Sequence, residues 1–187
     1  MTSIYFVRHA QPDERWIDDR TRPLTSQGIR DCQEVINTLA DIKADKVISS
    51  PYKRSFDTVA GYAKIKSIVI TTDERLRERK RGIETTENLL EKRWNDFNFC
   101  EEGGENLGDV QKRNIEAVKE MLQQNNMKIV VGTHGTALSS IMNYYNPSYG
   151  CEWFKKIWYQ MPYIIRFDFD GQTYKGSEEL LGIERGY

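Results

Sequence analysis

Histidine occurs only twice in this 187-residue chain, cysteine only three times, and no hydrophobic run is long enough to cross a bilayer. Each scarcity excludes something. Cys32, Cys100 and Cys151 are scattered, odd in number and form no CxxC pair, so neither a disulfide framework nor a zinc site is indicated. Free thiols in a reducing cytoplasm are the simplest reading. The first residues carry no signal-peptide core, which agrees with a cytoplasmic location. Lys and Arg total 27 against 28 Asp and Glu, a formal net charge of −1, so no global basic field points to nucleic acid. No repeat, low-complexity tract or linker divides the chain, and residues 1–187 have the length of one domain with a proper core.

What is present gathers at the ends of strands. "SIYFVRHAQPD" runs four bulky residues, Ile4 to Val7, straight into Arg8-His9. "KIVVGTHG" leads from Ile129, Val130 and Val131 to His134, so both histidines follow an apolar strand. Strands are expected at Ser3–Val7, Asp45–Ile48, Ser67–Thr71, Lys128–Gly132 and Tyr163–Asp168, with a partner at Gln172–Tyr174 across an Asp170-Gly171 turn. The first four are short, β-branched and apolar without alternation, the pattern of strands covered on both faces. Ser26–Leu39 and Asn106–Gln124 carry apolar residues at helical spacing. Strands alternating with helices predict a three-layer α/β/α sandwich with a mainly parallel sheet.

"ISSPYKRSFDTV" adds a third strand end. Ser50 as N-cap and Pro51 as first helical residue predict a helix with Arg54 on its first turn and its N–H groups turned toward the strand end, where they can hold an anion. In an open α/β sheet, ligands bind beyond the carboxyl ends of the strands. Arg8, His9, Arg54 and His134 would meet there. Two arginine forks plus helix donors suit a dianion such as a phosphoryl group. A neutral imidazole is a nucleophile toward phosphorus, and a second histidine can donate to the equatorial oxygens. A general acid for the leaving alkoxide must come from elsewhere, and "DERLRERKRGIE" offers Glu74, Glu78 and Glu84.

The motifs "VRHAQ", "PLTSQG", "SSPYKRSFDT", "LRERKRG", "GGEN" and "VGTHGTAL" resemble, in this order, those of the histidine phosphatase superfamily, also called phosphoglycerate-mutase-like. The resemblance spans Ile4 to Leu138. It implies a phosphoglycerate-mutase-like fold, His9 as the phosphorylated nucleophile, Arg8, Arg54 and His134 as phosphoryl-binding groups, Glu78 as proton donor, and no metal or cofactor. It also implies a cap or specificity segment at about 83–108. The chain departs from the family where Ala10 replaces the usual Gly, where Pro12 and Arg15 replace a hydroxyl and an amide, and where "IETTENLLEKRWNDFNF" replaces the common Trp-Glu-Gly stretch. Gln11 and Arg15 are candidates for substrate contact, against the plainer reading of Arg15 and Trp16 as surface loop.

The expected function is that of a metal-independent phosphomonoesterase acting on a small phosphorylated metabolite, as a monomer or homodimer, without nucleic-acid or membrane partners. The terse chain is similar to α-ribazole phosphatases and broad-spectrum sugar phosphatases. The alternatives are a phosphoglycerate mutase, whose members carry extra segments that exclude water, and a non-catalytic phospholigand-binding protein. Two His and one Glu can also form a metal triad, although neighbouring arginines oppose a cation. The aromatic cluster Tyr144, Tyr145, Tyr149, Trp153, Phe154, Trp158 and Tyr159 reads as core or as a helix packed on the sheet, with a wall for an apolar leaving group as the alternative.

Overall fold

β1 (Thr2–Arg8) sits inside the sheet and is covered on both faces, which is why its sequence lacks alternation. Ile4 and Phe6 pack on one side with Ile115, Val118, Leu138 and Ile141; Tyr5 and Val7 pack on the other with Val35, Leu39, Val59 and Tyr62. Each such side chain contributes roughly 1.5–3 kcal/mol by leaving water. The chain is a computed structural model that describes residues 1–83 and 88–185. Residues 84–87 of the expected cap segment lie outside the described residues.

After β1 come α1 (Ser26–Thr38), β2 (Lys46–Ser49), α2 (Lys53–Ile65), β3 (Ile70–Thr72) and a 3₁₀ turn at Glu74–Leu76. Then follow α3 (Leu89–Asn95), α4 (Leu107–Met121), β4 (Lys128–Thr133), α5 (Gly135–Tyr145), α6 (Cys151–Ile157), β5 (Gln160–Asp170) and β6 (Thr173–Glu184). The strands form one sheet in the order β3-β2-β4-β1-β5-β6. β3, β2, β4 and β1 pair in parallel, and β5 and β6 are antiparallel. Helices α1 and α2 contribute to the core on one face of the sheet, and α4 and α5 to the core on the other. The mixed α/β sandwich therefore agrees with the sequence reading.

Three boundaries differ from expectation, each for a local reason. α2 does not start at Pro51: the Ser50 hydroxyl accepts the Tyr52 N–H at 3.2 Å, so Ser50-Pro51-Tyr52 form a turn and the helix opens at Lys53. The third strand runs Ile70–Thr72 rather than Ser67–Thr71, because Ser67 has a positive φ of 56° just past α2. The terminal hairpin is much longer than Tyr163–Asp168 with Gln172–Tyr174, spanning 160–184. Its turn is where expected, with Gly171 at φ 57°, a conformation that costs glycine nothing. The three cysteines are free, and among the described residues no helix is long and apolar enough to cross a membrane.

Candidate active site

The register of β1 against β4 pairs Arg8 with Thr133, so the next residues, His9 and His134, leave the sheet side by side. The His9 N–H donates to the Thr133 carbonyl at 3.1 Å, and the two imidazole rings stand edge to face, centroids 5.3 Å apart. β2 lies on the other flank of β4 and sends Arg54 in from the first turn of α2. Its Nε donates to His9 Nε2 at 3.2 Å. His9 Nδ1 is 2.8 Å from the carbonyl oxygen of Ala10. A carbonyl only accepts, so Nδ1 carries the proton and Nε2 holds the lone pair.

Arg8 is buried beneath this pair, its Nη1 donating to the carbonyls of Ile157 and, at 3.2 Å, Gln160. A Cβ at position 135 would stand 3.2 Å from the Arg8 Cζ, so Gly135 lets the guanidinium lie against the start of α5. Burial, then Arg54 and Arg8, pushes His9 well below the ordinary imidazole range. Burial, then Arg54 and His9, does the same to His134. Both rings are neutral. His134 Nε2 is 2.7 Å from the Ser50 hydroxyl, and the Tyr52 ring packs on its edge at 5.2 Å.

Glu78 approaches from the loop after the 3₁₀ turn. Its carboxylate accepts the N–H groups of Arg79 at 2.8 Å and of Thr136 and Ala137, each at 3.1 Å. It therefore occupies the N-terminus of α5, whose exposed donors and dipole suit an anion. Arg113 of α4 holds that loop: Nη1 donates to the carbonyls of Arg75 (2.6 Å) and Arg77 (2.7 Å), and Nη2 to that of Glu78 (3.3 Å). Arg113 and Arg77 also grip Glu105. Burial alone would raise that carboxyl, but the two guanidiniums hold it at about 2.

Arg8, His9, Arg54 and Glu78 border a polar cavity of about 40 Å³, lined by five arginines (8, 22, 54, 79, 81) against three carboxylates (Glu14, Asp19, Glu78); His134, which packs against the His9 ring, is not part of that lining. Its net charge is thus positive and its size suits a small anion. Glu78, Arg79 and Arg81 also line a second cavity of about 170 Å³, completed by Leu90, Arg93 and Trp94 of α3, Leu107, Thr136, Phe154 and Trp158.

The structure thus brings together Arg8, His9, Arg54, Glu78 and His134. It separates the competitors and the suggested contacts from them. Glu74 is exposed and ion-paired with Arg20, and Glu84 lies outside the described residues. Gln11 and Arg15 do not line either cavity: the Gln11 amide oxygen accepts the Thr25 hydroxyl at 3.0 Å, and exposed Arg15 pairs with Asp13. The α2 N-terminus is not an open anion cradle either, since the Lys53 N–H donates to the Arg20 carbonyl. Of the aromatic cluster, Tyr145, Tyr149 and Trp153 join the core, Tyr144 and Tyr159 are exposed, and Phe154 and Trp158 face the larger cavity. Arg22, Arg79 and Arg81 line the smaller cavity and Ser50 bonds His134, and no spacing in the sequence signals these placements. Arg22 reaches the pocket from a loop, held by Glu14 at 3.1 Å and Asp19 at 3.2 Å. Among the described residues no three His, Cys, Asp or Glu side chains cluster as metal ligands would.

The sequence matches the profile of the histidine phosphatase superfamily (branch 1) over residues 4–175. No curated protein matches it. Among solved structures, YhfR of Bacillus stearothermophilus superposes with a TM-score of 0.76 at 23% identity, covering 94% of this chain and 95% of that one. A mycobacterial glucosyl-3-phosphoglycerate phosphatase gives 0.75 at 16%, covering 95% and 96%. A phosphoserine phosphatase from Entamoeba histolytica gives 0.73 at 19%, covering 97% and 96%. At these identities the likeness is one of fold.

Proposed function

Since the chain belongs to the histidine phosphatase superfamily and is an enzyme of the phosphatase class, we propose that it hydrolyses phosphate monoesters of small metabolites through a phosphohistidine on His9, without a metal. The observation that carries this reading is the His9 imidazole itself. It is neutral, oriented by the Ala10 carbonyl, and presents Nε2 to a pocket walled by arginines.

In the resting protein Arg54 Nε donates to that lone pair. A phosphoryl dianion is the stronger acceptor, so its arrival draws the guanidinium away and frees Nε2. The Nε2 pair then forms the N–P bond as the P–O bond to the leaving group breaks. Arg8, Arg54 and His134 stabilise the equatorial oxygens. For the leaving group to depart as an alcohol, Glu78, standing between the two cavities, must enter this step as the carboxylic acid, and it gives that proton to the departing oxygen. In the second half a water enters on the vacated side and Glu78 takes its proton. The new P–O bond forms, the N–P bond breaks, and inorganic phosphate leaves with Nε2 restored. Arginines supply the positive charge that this chemistry needs. The fold neighbours named for phosphoserine and glucosyl-3-phosphoglycerate support a small metabolite as substrate. The 83–108 segment, which supplies Leu90, Arg93, Trp94 and Leu107 to the larger cavity, is the specificity element of this reading.

Rapid quenching with phosphorus-labelled substrate tests the proposal. An acid-labile, alkali-stable label mapped to the His9 peptide is expected, absent in His9→Ala. Label on another residue, or turnover with no labelled protein, overturns it. Transfer of the label to an added alcohol rather than to water moves the reading to a mutase.

A further inference from the structure

The larger cavity has a chemistry of its own. Trp94 and Phe154 lie 5.8 Å apart at a 40° tilt, and Trp158 meets Phe154 edge to face at 5.1 Å. Three rings thus form an apolar wall next to the carboxyl of Glu78. Facing it are Arg79, Arg81 and Arg93. Arg79 and Arg93 both pair with buried Glu101, Arg79 at 3.0 Å, so their guanidiniums are rigid parts of the wall. Arg81 differs. It is exposed, lines both cavities and makes no ion pair among the described residues.

We propose, resting on the phosphomonoesterase reading, that the substrate is the phosphate ester of a small alcohol with a flat, apolar body and one carboxylate. The rings select the body, since aromatic and planar groups gain most against an aromatic wall. Arg81 selects the carboxylate: one fork with no ion pair among the described residues matches one singly charged, two-oxygen anion, whereas a second phosphate dianion calls for more. The cavity, about 170 Å³, has room for a small-molecule leaving group beside the Glu78 carboxyl. Simple polyol phosphates would leave both the rings and Arg81 without partners.

Three esters of comparable leaving-group basicity separate these ideas: 4-carboxybenzyl phosphate, benzyl phosphate and glycerol 3-phosphate. The expected kcat/KM falls in that order, by about tenfold at each step. Arg81→Gln is expected to cost 4-carboxybenzyl phosphate at least five times more than benzyl phosphate. Trp94→Ala is expected to hurt both benzyl esters more than glycerol 3-phosphate. Calorimetry with His9→Ala reads the same preference without turnover. Tighter binding of the carboxylated ester, with no hydrolysis by the wild type, supports the subsite while the phosphatase reading alone falls. Equal kcat/KM and equal binding across the three esters, or an Arg81→Gln loss that is uniform, overturns the proposal.

Discussion

The Ser50 hydroxyl stands 2.7 Å from His134 Nε2 while the same oxygen accepts the Tyr52 N–H at 3.2 Å. The hydroxyl also has a proton to give, and the arrangement expected here is its donation to Nε2. His134 then carries its ring proton on Nδ1, a buried atom with no hydrogen-bond partner among the described residues. That N–H is the donor that the proposed mechanism assigns to a phosphoryl oxygen. Ser50→Ala releases the tautomer and should lower kcat roughly ten- to a hundredfold with little change in KM. Nitrogen NMR of His134 checks the cause: the Nδ1-protonated form should dominate in the wild type and lose population in the variant. An unchanged tautomer with reduced kcat would point to a merely structural loss.

Arg54 touches both His9 and Asp19, donating to the Asp19 carbonyl at 2.6 Å and pairing with its carboxylate at 3.1 Å. Removing a preorganised charge from a buried site should cost roughly a hundred- to a thousandfold in kcat/KM. Arg54→Lys should recover little, since the planar fork is lost. Vanadate inhibition measures the same site directly: it should be strong in the wild type and weak in both variants.

Glu78→Gln should discriminate between leaving groups. With p-nitrophenyl phosphate the departing oxygen needs little protonation, so the loss should be modest, whereas alkyl phosphates should lose at least ten times more. Glu74→Gln breaks an exposed pair with Arg20 and should change neither selectivity nor rate by more than about twofold. A steeper dependence on leaving-group basicity in Glu78→Gln, and not in Glu74→Gln, is the measurement that decides.

The two histidines also set the response to acid. Burial, with Arg54 next, holds both folded-state values below the ordinary 6.5. Below pH 6.5 the unfolded chain therefore binds protons that the native chain refuses. Stability is complete above 6.5 and falls as pH drops, by up to about 1.4 kcal/mol per pH unit for each histidine. Urea midpoints measured from pH 7.5 to 5.5 in phosphate-free buffer should fall, and His9→Asn/His134→Asn should flatten that slope. The rate has the matching sign: His9 stays neutral through pH 6.5, so kcat/KM should not begin its acid decline there but at lower pH.

Much of the site was legible in the chain because strand patterning is local and parallel sheets obey a general rule. Apolar runs ending in Arg8-His9 and Thr133-His134 mark strand ends, and parallel strands deliver their ends to one edge. That is enough to bring His9, Arg54 and His134 together without knowing the order β3-β2-β4-β1. Other features depended on which distant segments meet. Glu78 is separated from Glu74 only by its bonds to Thr136 and Ala137, 58 and 59 residues away. Arg22 reaches the pocket because its loop sets it against Glu14 and Asp19, and Ser50 finds His134 across 84 residues at the cost of the helix cap expected of it. The aromatic cluster divides between core and cavity according to the seating of α3 against α6, which leaves no periodic signature. Local hydrophobic patterning encodes where strands end. Which loop side chains face those ends is decided by closure of the chain over long separations, where the contact itself, rather than any spacing, selects the residue.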